Sequence, residues 1–384
     1  MNHSVYKSFF EQYGIPDASV FAPGRANIIG EHTDYNDGFV MPFAIGQGVW
    51  FFANDNTSEN LCITAFDTGE YTIIENKSTD EKVRFGWEKY FRQVLAVLDL
   101  HHIKGANIVF GGNLPIGAGV SSSSAITCGF VALLNQLNQW GMNADNMVDT
   151  SVKAERGYGV RGGIMDQYTI INGIKNKAIL LDCQTNTHEY IDLNMGKYHF
   201  CLINTNVKHN LIQTDYNQRR AECEHAVRLL DKHYRNIKSI RDIGMEDLPL
   251  IRNLLDDTLF NRVSFVVQEN NRVLHARNAI LHGNYPKLGE LLYESHDGLS
   301  QMYHVSCEEL DWLVDYTLEA DEIAGARMMG GGFGGCTINL INGQLHKETI
   351  HSLTSDYEKK FNIKPDIIAV SCEDGIIHHA RYGN

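Results

Sequence analysis

Twelve consecutive residues, Arg25-Ala26-Asn27-Ile28-Ile29-Gly30-Glu31-His32-Thr33-Asp34-Tyr35-Asn36, crowd a guanidinium, two carboxylates and an imidazole between Pro23-Gly24 and Gly38. Carboxylates and imidazole supply the acceptors and donors that a polyhydroxylated ligand needs. An arginine among them can hold a phosphate or keep a neighbouring carboxylate ionised. The competing reading is a solvated charged turn. In Gly162-Gly163-Ile164-Met165-Asp166-Gln167-Tyr168 a carboxylate follows a glycine pair just before a run that reads as a strand. That placement suits a general base, and it equally suits an aspartate that caps a turn.

Two glycine-rich stretches supply backbone rather than side chains. Pro115-Ile116-Gly117-Ala118-Gly119-Val120-Ser121-Ser122-Ser123-Ser124-Ala125 runs straight into an apolar helical pattern of Ile126, Phe130, Val131, Leu133, Leu134 and Leu137. Its glycines let amides approach an anion, its serines can cap the helix, and the free N–H groups at the positive dipole end favour phosphate. A tight turn with an ordinary cap is the alternative. The loop has neither a GxxxxGK[ST] nor a GxGxxG pattern, so neither a Walker nor a Rossmann nucleotide fold is supported. In Met328-Met329-Gly330-Gly331-Gly332-Phe333-Gly334-Gly335-Cys336, five glycines within six residues cost much backbone entropy unless another backbone or a ligand must come close. Strand-like Thr337-Ile338-Asn339-Leu340 follows at once, which favours an ordered loop over a hinge.

The elements that must position these residues alternate. Strands are expected at Val49 to Ala53, Leu61 to Ala65, Tyr71 to Ile74, Asn107 to Phe110 and Ala178 to Leu181, with helices near 86–101, 121–138 and 145–156. Asn172-Gly173, between Tyr168-Thr169-Ile170-Ile171 and Ala178-Ile179-Leu180-Leu181, reads as a hairpin turn. A strand at His199 to Ile203 is followed by long amphipathic helices from Tyr216 to about 320, so two α+β domains should meet near residues 180–200. The length of 384 residues agrees with two cores.

With 43% hydrophobic and 21% charged residues the chain should fold throughout, and a formal net charge of −14 disfavours nonspecific binding to nucleic acid or an anionic membrane. Neither a leader nor a stretch near the roughly 18 apolar residues of a span is visible, so a cytosolic protein is expected. The eight scattered cysteines read as reduced core thiols. The histidines, including the pairs His101-His102 and His378-His379, fall in no metal-ligand pattern.

In this order, the segments resemble the galactokinases of the GHMP kinase superfamily. Arg25 to Asn36 is similar to the sugar-binding signature, Pro115 to Ala125 to the superfamily phosphate loop, and Gly330 to Gly335 to the third motif. Gly163-Ile164-Met165-Asp166-Gln167, Asn204-Thr205-Asn206 with Tyr216, and Glu294-Ser295-His296 with Val305-Ser306-Cys307 extend the likeness over nearly the whole chain.

The resemblance implies a two-domain α+β fold: residues 1–195 of ribosomal-protein-like type, residues 196–384 ferredoxin-like, and the active site in the cleft between them. It implies Asp166 as proton acceptor beside Arg25, with Glu31, His32, Asp34, Gly163 and Tyr216 around the sugar. Gly117, Ala118, Gly119, Val120, Ser121, Ser122 and Ser123 would follow the ATP phosphates, and Mg²⁺ would sit with Ser122 and Glu155. Trp87 would lie beside the adenine, unless it simply packs in the core. Two features depart from the usual pattern: the stretch from Glu155 to Asp166 is one residue shorter, and Gly162 replaces a cysteine. The implied activity is ATP-dependent phosphorylation of the C1 hydroxyl of D-galactose, with galactose and MgATP as partners and neither nucleic acid nor membrane. The alternatives are an N-acetylgalactosamine or arabinose kinase, a sugar sensor that regulates transcription, and a carbohydrate-binding protein without catalysis. Intact Ser122-Ser123-Ser124-Ala125 and Asp166 favour catalysis.

Overall fold

The structure is a computed structural model and describes residues 3–75, 83–98, 103–115, 117–159, 161–207, 212–234 and 236–379. The His101-His102 pair, the end of the helix expected to reach 101, and Ile116 lie outside these. Aromatic and β-branched side chains that suit a pleated surface build a six-stranded sheet. Its order is Ile377–His379, Ala18–Asn27, Pro42–Asp55, Ala106–Gly112, Asn60–Ala65, Glu70–Glu75. Neighbours are antiparallel except Asn60–Ala65 beside Ala106–Gly112, which run parallel. The four strands expected between 49 and 110 all lie here. Ala18–Asn27 is buried along its whole length, because the helix Ser122–Asn138 packs on it with Phe130, Val131, Leu133 and Leu134 inward. Phe91, from the helix Glu88–Leu98, stacks on Phe130 with ring centroids 4.1 Å apart.

That strand is bent where the chemistry begins. Its register against Pro42–Asp55 shifts between Pro23 and Arg25. A Cβ on the intervening Gly24 would come within 2.5 Å of Leu114 Cδ1 and 2.8 Å of Val120 O, so only glycine fits. The irregularity lets the Arg25 N–H donate to Val120 O at 3.2 Å, which joins the start of the sugar-like segment to the glycine/serine loop.

A second sheet orders Ile323–Met329, Cys336–Asn342, Tyr198–Asn204 and Asp366–Ala369, all antiparallel, and a small third one holds Phe39–Val40, Lys177–Asp182 and Thr187–Asp192. The helices Ile212–His233, Asp257–Leu281, Tyr285–Asp297 and Glu308–Thr317 occupy the stretch where long helices were expected. The hairpin expected around Asn172-Gly173 is absent. Tyr168 to Ile171 belong to the helix Met165–Asn172, which Gly173 ends by donating its N–H to Thr169 O at 2.9 Å. The β-branched run favoured a strand locally, but burial of Met165, Gln167, Tyr168, Thr169 and Ile170 around the helix overrides that preference. Asp166 therefore sits in the first turn of a helix, where a carboxylate is favoured. All eight cysteines are free and five of them are buried. Among the described residues no helix is long and apolar enough to cross a membrane.

The largest apolar core contains Ile28, Phe51 and Leu133 together with Val273, Leu291 and Ile338, so residues before and after 195 share it. One polar group crosses the same junction. Arg327 has no exposed surface and donates to Ile28 O (2.8 Å), Asn27 O (2.6 Å), Met328 O (2.6 Å) and Glu31 Oε1 (3.2 Å). A buried charge survives only when paired and hydrogen-bonded, and removing one partner strands the other. Arg327→Met should therefore lower the unfolding free energy by about 3–5 kcal/mol, seen as a fall in the urea midpoint. Arg327→Lys should recover less than half of it, because an ammonium cannot spread over these acceptors. Midpoints equal to that of the parent would remove this residue's role.

Candidate active site

The glycine/serine loop takes left-handed backbone at Gly117 (φ 76°), Gly119 (φ 72°) and Ser121 (φ 61°). A Cβ on Gly119 would stand 2.9 Å from Met329 O, and one on Gly330 would stand 3.0 Å from Gly119 O. The two glycine-rich stretches thus touch through their backbones, which accounts for residues that are otherwise entropically costly. Around Gly117, by contrast, nothing lies within 4 Å of a would-be Cβ, so the loop is open on that side. Ser121 occupies the position before the helix Ser122–Asn138, yet it does not cap it. Its left-handed conformation turns the hydroxyl to donate to Asp166 Oδ2 at 2.6 Å. The expected cap is replaced by a contact with the candidate base, the kind of strained residue that functional sites retain.

Asp166 is held from the other side by Arg25, whose Nε donates to Oδ1 at 2.7 Å while Nη1 donates to Gly119 O at 2.5 Å. Its neighbour Gln167 donates through Nε2 to Glu155 Oε2 at 2.8 Å, and Glu155 Oε1 is buried without a hydrogen-bond partner. Gly163 must be glycine: a Cβ there would lie 2.2 Å from Asp34 Oδ2. Glu31 Oε1 accepts from Gly330 N at 2.9 Å as well as from Arg327, so its carboxylate anchors the third motif as much as it faces a ligand. His32 is buried against the rings of Tyr216 (centroids 5.3 Å), Tyr303 (5.1 Å) and Tyr35 (5.8 Å), and its Nε2 has no partner.

These groups line one cleft of about 410 Å³, which falls in the range of small-molecule sites. Arg25, Glu31, His32, Asp34, Gly117, Gly119, Ser121, Ser122, Ser123, Glu155, Gly163, Asp166 and Tyr216 are all on its wall. Ala118 and Val120 are not; both side chains are buried, and Val120 serves through its carbonyl. Trp87 does not line the cleft either. Its indole N–H donates to Glu70 Oε2 at 2.7 Å and its ring meets Phe91 and Phe110 edge-on, the core-packing alternative. The aromatic groups on the wall that sequence reasoning missed are Tyr90 and Tyr158, with centroids 4.7 Å apart. Tyr90 lies in the first turn of the helix Glu88–Leu98, whereas Trp87 precedes that helix, and no signal in the sequence separated the two.

Charge in the cleft is uneven. Burial works against the Arg25 charge, but Asp166, Glu31 and Asp34 outweigh it and raise its pKa. Burial brings His32 down to about 3, with the nearby Arg219, Arg327 and Arg262 adding to the effect, so the ring is neutral at physiological pH. Burial, then the charge of Asp166, pushes Asp34 up to about 6. Burial likewise raises Glu155 to about 8.

Comparison with known proteins agrees with this geometry. The galactokinase galactose-binding signature matches residues 7–54, the GHMP kinases N terminal domain 89–173 and the GHMP kinases C terminal domain 276–359. A galactokinase of Thermotoga maritima is 38% identical over 360 residues, covering 93% of this chain and 99% of the relative. One of Clostridium beijerinckii is 34% identical over 384 residues, covering 97% and 98%. The crystal structure of Lactococcus lactis galactokinase complexed with galactose superposes with a TM-score of 0.92 at 30% identity, covering 97% of this chain and 98% of that one. A mevalonate kinase structure, 16% identical with a TM-score of 0.64 over 92% of this chain and 99% of that one, shares the fold. The two-domain α+β fold expected from the sequence is the fold observed.

The raised Asp34 pKa has a consequence for the free protein. Below its ordinary value of 3.8 the carboxyl is protonated folded or unfolded; between 3.8 and about 6 only the unfolded chain releases the proton, so stability falls as pH rises and stays reduced above about 6. Asp34→Asn should therefore be more stable than the parent at neutral pH by about 1–3 kcal/mol, since each tenfold change in proton affinity is worth roughly 1.4 kcal/mol. The gain should vanish at acid pH. Paired melting curves across pH check this, and a variant that is less stable at neutral pH would contradict it.

Proposed function

The chain belongs to the galactokinase family, and from that premise we propose how its own residues divide the work of moving the γ-phosphoryl group of ATP to the C1 hydroxyl of galactose. The observation that carries the reading is the position of Asp166. It is bonded at once to Arg25 of the sugar-like segment and to Ser121 of the phosphate loop. A carboxylate at that junction reaches both the hydroxyl that must lose a proton and the phosphorus it attacks.

Galactose is bound by Glu31, His32, Asp34, Gly163 and Tyr216, on the wall supplied by the segment after Arg25, the Gly163 turn and the helix Ile212–His233. Gly163, lacking a Cβ, leaves room for Asp34 to sit close to the sugar. Gly117, Gly119 and Ser121 to Ser123 hold the phosphates through amides and hydroxyls at the start of a helix. Residues up to about 195 supply that loop, the half that follows supplies Tyr216 and the third motif, and the cleft lies between.

The cleft fits Mg²⁺ delivered with the nucleotide. Glu155 presents a buried oxygen without a partner, Ser122 lies on the same wall, and a hard cation takes such oxygens together with phosphate. Held there by Glu155 and Ser122, the ion would supply charge neutralisation at the phosphates.

Phosphoryl transfer needs positioning and charge stabilisation more than covalent chemistry. Asp166 accepts the C1 proton as the oxygen attacks. Arg25 holds that carboxylate in place, and its guanidinium lies where it also stabilises charge developing on the phosphoryl oxygens.

Two measurements test this assignment. ADP release on a panel of aldohexoses, with the product phosphate placed by NMR, should show galactose preferred over glucose and phosphorylation at C1. The pocket's carboxylates would otherwise face an equatorial C4 hydroxyl and lose a bond. Asp166→Asn keeps the shape and removes the base, so single-turnover transfer at saturating MgATP should fall about 10²-fold or more while calorimetry still finds galactose bound. Near-parental transfer in that variant would take Asp166 out of the mechanism.

A further inference from the structure

Behind His32 a line of polar groups runs away from the cleft, and none of them belongs to the site just described. His32 Nδ1 is 2.7 Å from Tyr35 Oη, Tyr35 Oη is 2.9 Å from Tyr303 Oη, and Tyr303 Oη is 3.1 Å from Cys223 Sγ. Tyr303 is completely buried, and its ring packs against both His32 and Phe265. Asn36 Nδ2 donates to His32 O at 2.8 Å, fixing the backbone from which the imidazole projects. The other ring nitrogen, Nε2, is buried and no hydrogen-bond geometry reaches it; the ring stands beside the Gly331 backbone, and His32 is one of the residues of the cleft wall.

A chain of hydroxyls ending on an imidazole can point either way. If the protons run toward the ring, Tyr303 donates to Tyr35, Tyr35 donates to Nδ1, and the ring proton resides on Nε2. If they run away, Nδ1 carries the proton and Nε2 is an acceptor. The charges at the two ends choose between these. At the far end Arg219 donates to Tyr303 O at 2.9 Å and Arg262 lies over the Tyr303 ring, 5.7 Å from its centroid; the two share one carboxylate, Glu222. That end is net positive. At the cleft end Glu31, Asp34 and Asp166 face two guanidiniums, Arg25 and Arg327, which leaves it net negative. Hydroxyl dipoles in a low-dielectric interior align with such a field, hydrogen toward the negative end, and each aligned bond reinforces the next.

We propose that Tyr303, acting through Tyr35, is a positioning residue that holds His32 as its Nε2–H tautomer, so that the imidazole donates a hydrogen bond to an oxygen of the bound sugar. The inference rests on the assignment of the cleft to galactose. The neutral state of His32 is consistent with it, since only a neutral ring has a tautomer to select. Specificity follows: a ring locked as a donor favours a sugar oxygen with a free lone pair at that point and leaves an unpaired N–H against an analogue that lacks the oxygen.

The test uses the full chain with ¹⁵N-labelled histidine, His32 being assigned by the signals lost in His32→Gln. The parent should show a protonated Nε2 and a bare Nδ1. Tyr35→Phe and Tyr303→Phe should shift both nitrogens toward a mixture of tautomers. They should also raise the galactose KM by about 3- to 10-fold, the loss of one neutral hydrogen bond, while the ATP KM stays within about two-fold and kcat changes less than the galactose KM. On the deoxygalactose that lacks the contacted oxygen, that penalty should disappear. A parent spectrum with the proton on Nδ1 overturns the proposal, and does so whether or not the phenylalanine variants fold. Unaltered His32 signals in variants that melt like the parent overturn it too. A parent that does not phosphorylate galactose would instead sink the underlying assignment, and the tautomer would still be read from the spectrum.

Discussion

A guanidinium sealed from water must find all of its partners within the protein, and Arg327 finds them in the segments that form the cleft. Its donors go to the carbonyls of Asn27 and Ile28, where the strand Ala18–Asn27 ends, and to the carboxylate of Glu31 a few residues on. The same Glu31 oxygen accepts from Gly330 N, and Gly330 lies against Gly119 of the phosphate loop. The sugar-like segment, the third glycine motif and the phosphate loop are therefore placed by one buried charge and the carboxylate that neutralises it. Such a pair adds little net stability over a well-packed apolar pair, because desolvation consumes most of the attraction. What it supplies is placement: both ions are satisfied by partners drawn from these segments.

Backbone contact is the second constraint, and it explains where the glycines are. Gly119 against Met329 O, Gly163 against Asp34 Oδ2, and Gly24 against Val120 O leave no volume for a Cβ. Each contact replaces a side chain with a main chain brought within hydrogen-bonding range of something else, so the entropy lost on ordering glycine is offset by proximity that no other residue allows. The cleft is consequently walled by carbonyls and amides with fixed directions, and its few side chains project from strand ends and helix starts.

The chemistry of the cleft was legible because it is local: Arg25 to Asn36 and Gly330 to Gly335 concentrate their meaning within a dozen residues, and helix 121–138 announced itself by apolar period. Pairings across the chain were not. Arg25 meets Asp166 from 141 positions away, and nothing in Ala326-Arg327-Met328 distinguishes that arginine from a surface residue of a strand. Trp87 and Tyr90 share one short segment, and only the point where the helix begins, at Glu88, separates the residue of the core from the residue of the cleft. Tyr168 to Ile171 carry strand-forming side chains, but a four-residue preference worth tenths of a kcal/mol each yields to burial around the helix Met165–Asn172. Ser121 was legible as a cap by residue type; its left-handed backbone, which sends the hydroxyl to Asp166, depends on the loop's contact with the third motif.

The environments of Asp34 and Asp166 separate two carboxylates that stand near each other. Asp166 has Arg25 on one oxygen and Ser121 on the other, both donors, both aimed at an ionised group. Asp34 accepts only from Tyr35 N at 2.9 Å, is enclosed by protein on the sides away from the cleft, and feels Asp166 as a like charge, which carries its pKa up to about 6. The guanidinium bonds to one of these like charges, Asp166. Arg25 thus does more than neutralise: in the proposed mechanism its bond to Asp166 rather than Asp34 leaves the carboxylate beside the phosphate loop to accept the proton and the other to bind hydroxyls. The difference between the two surroundings is one bond of 2.7 Å, from Arg25 to Asp166.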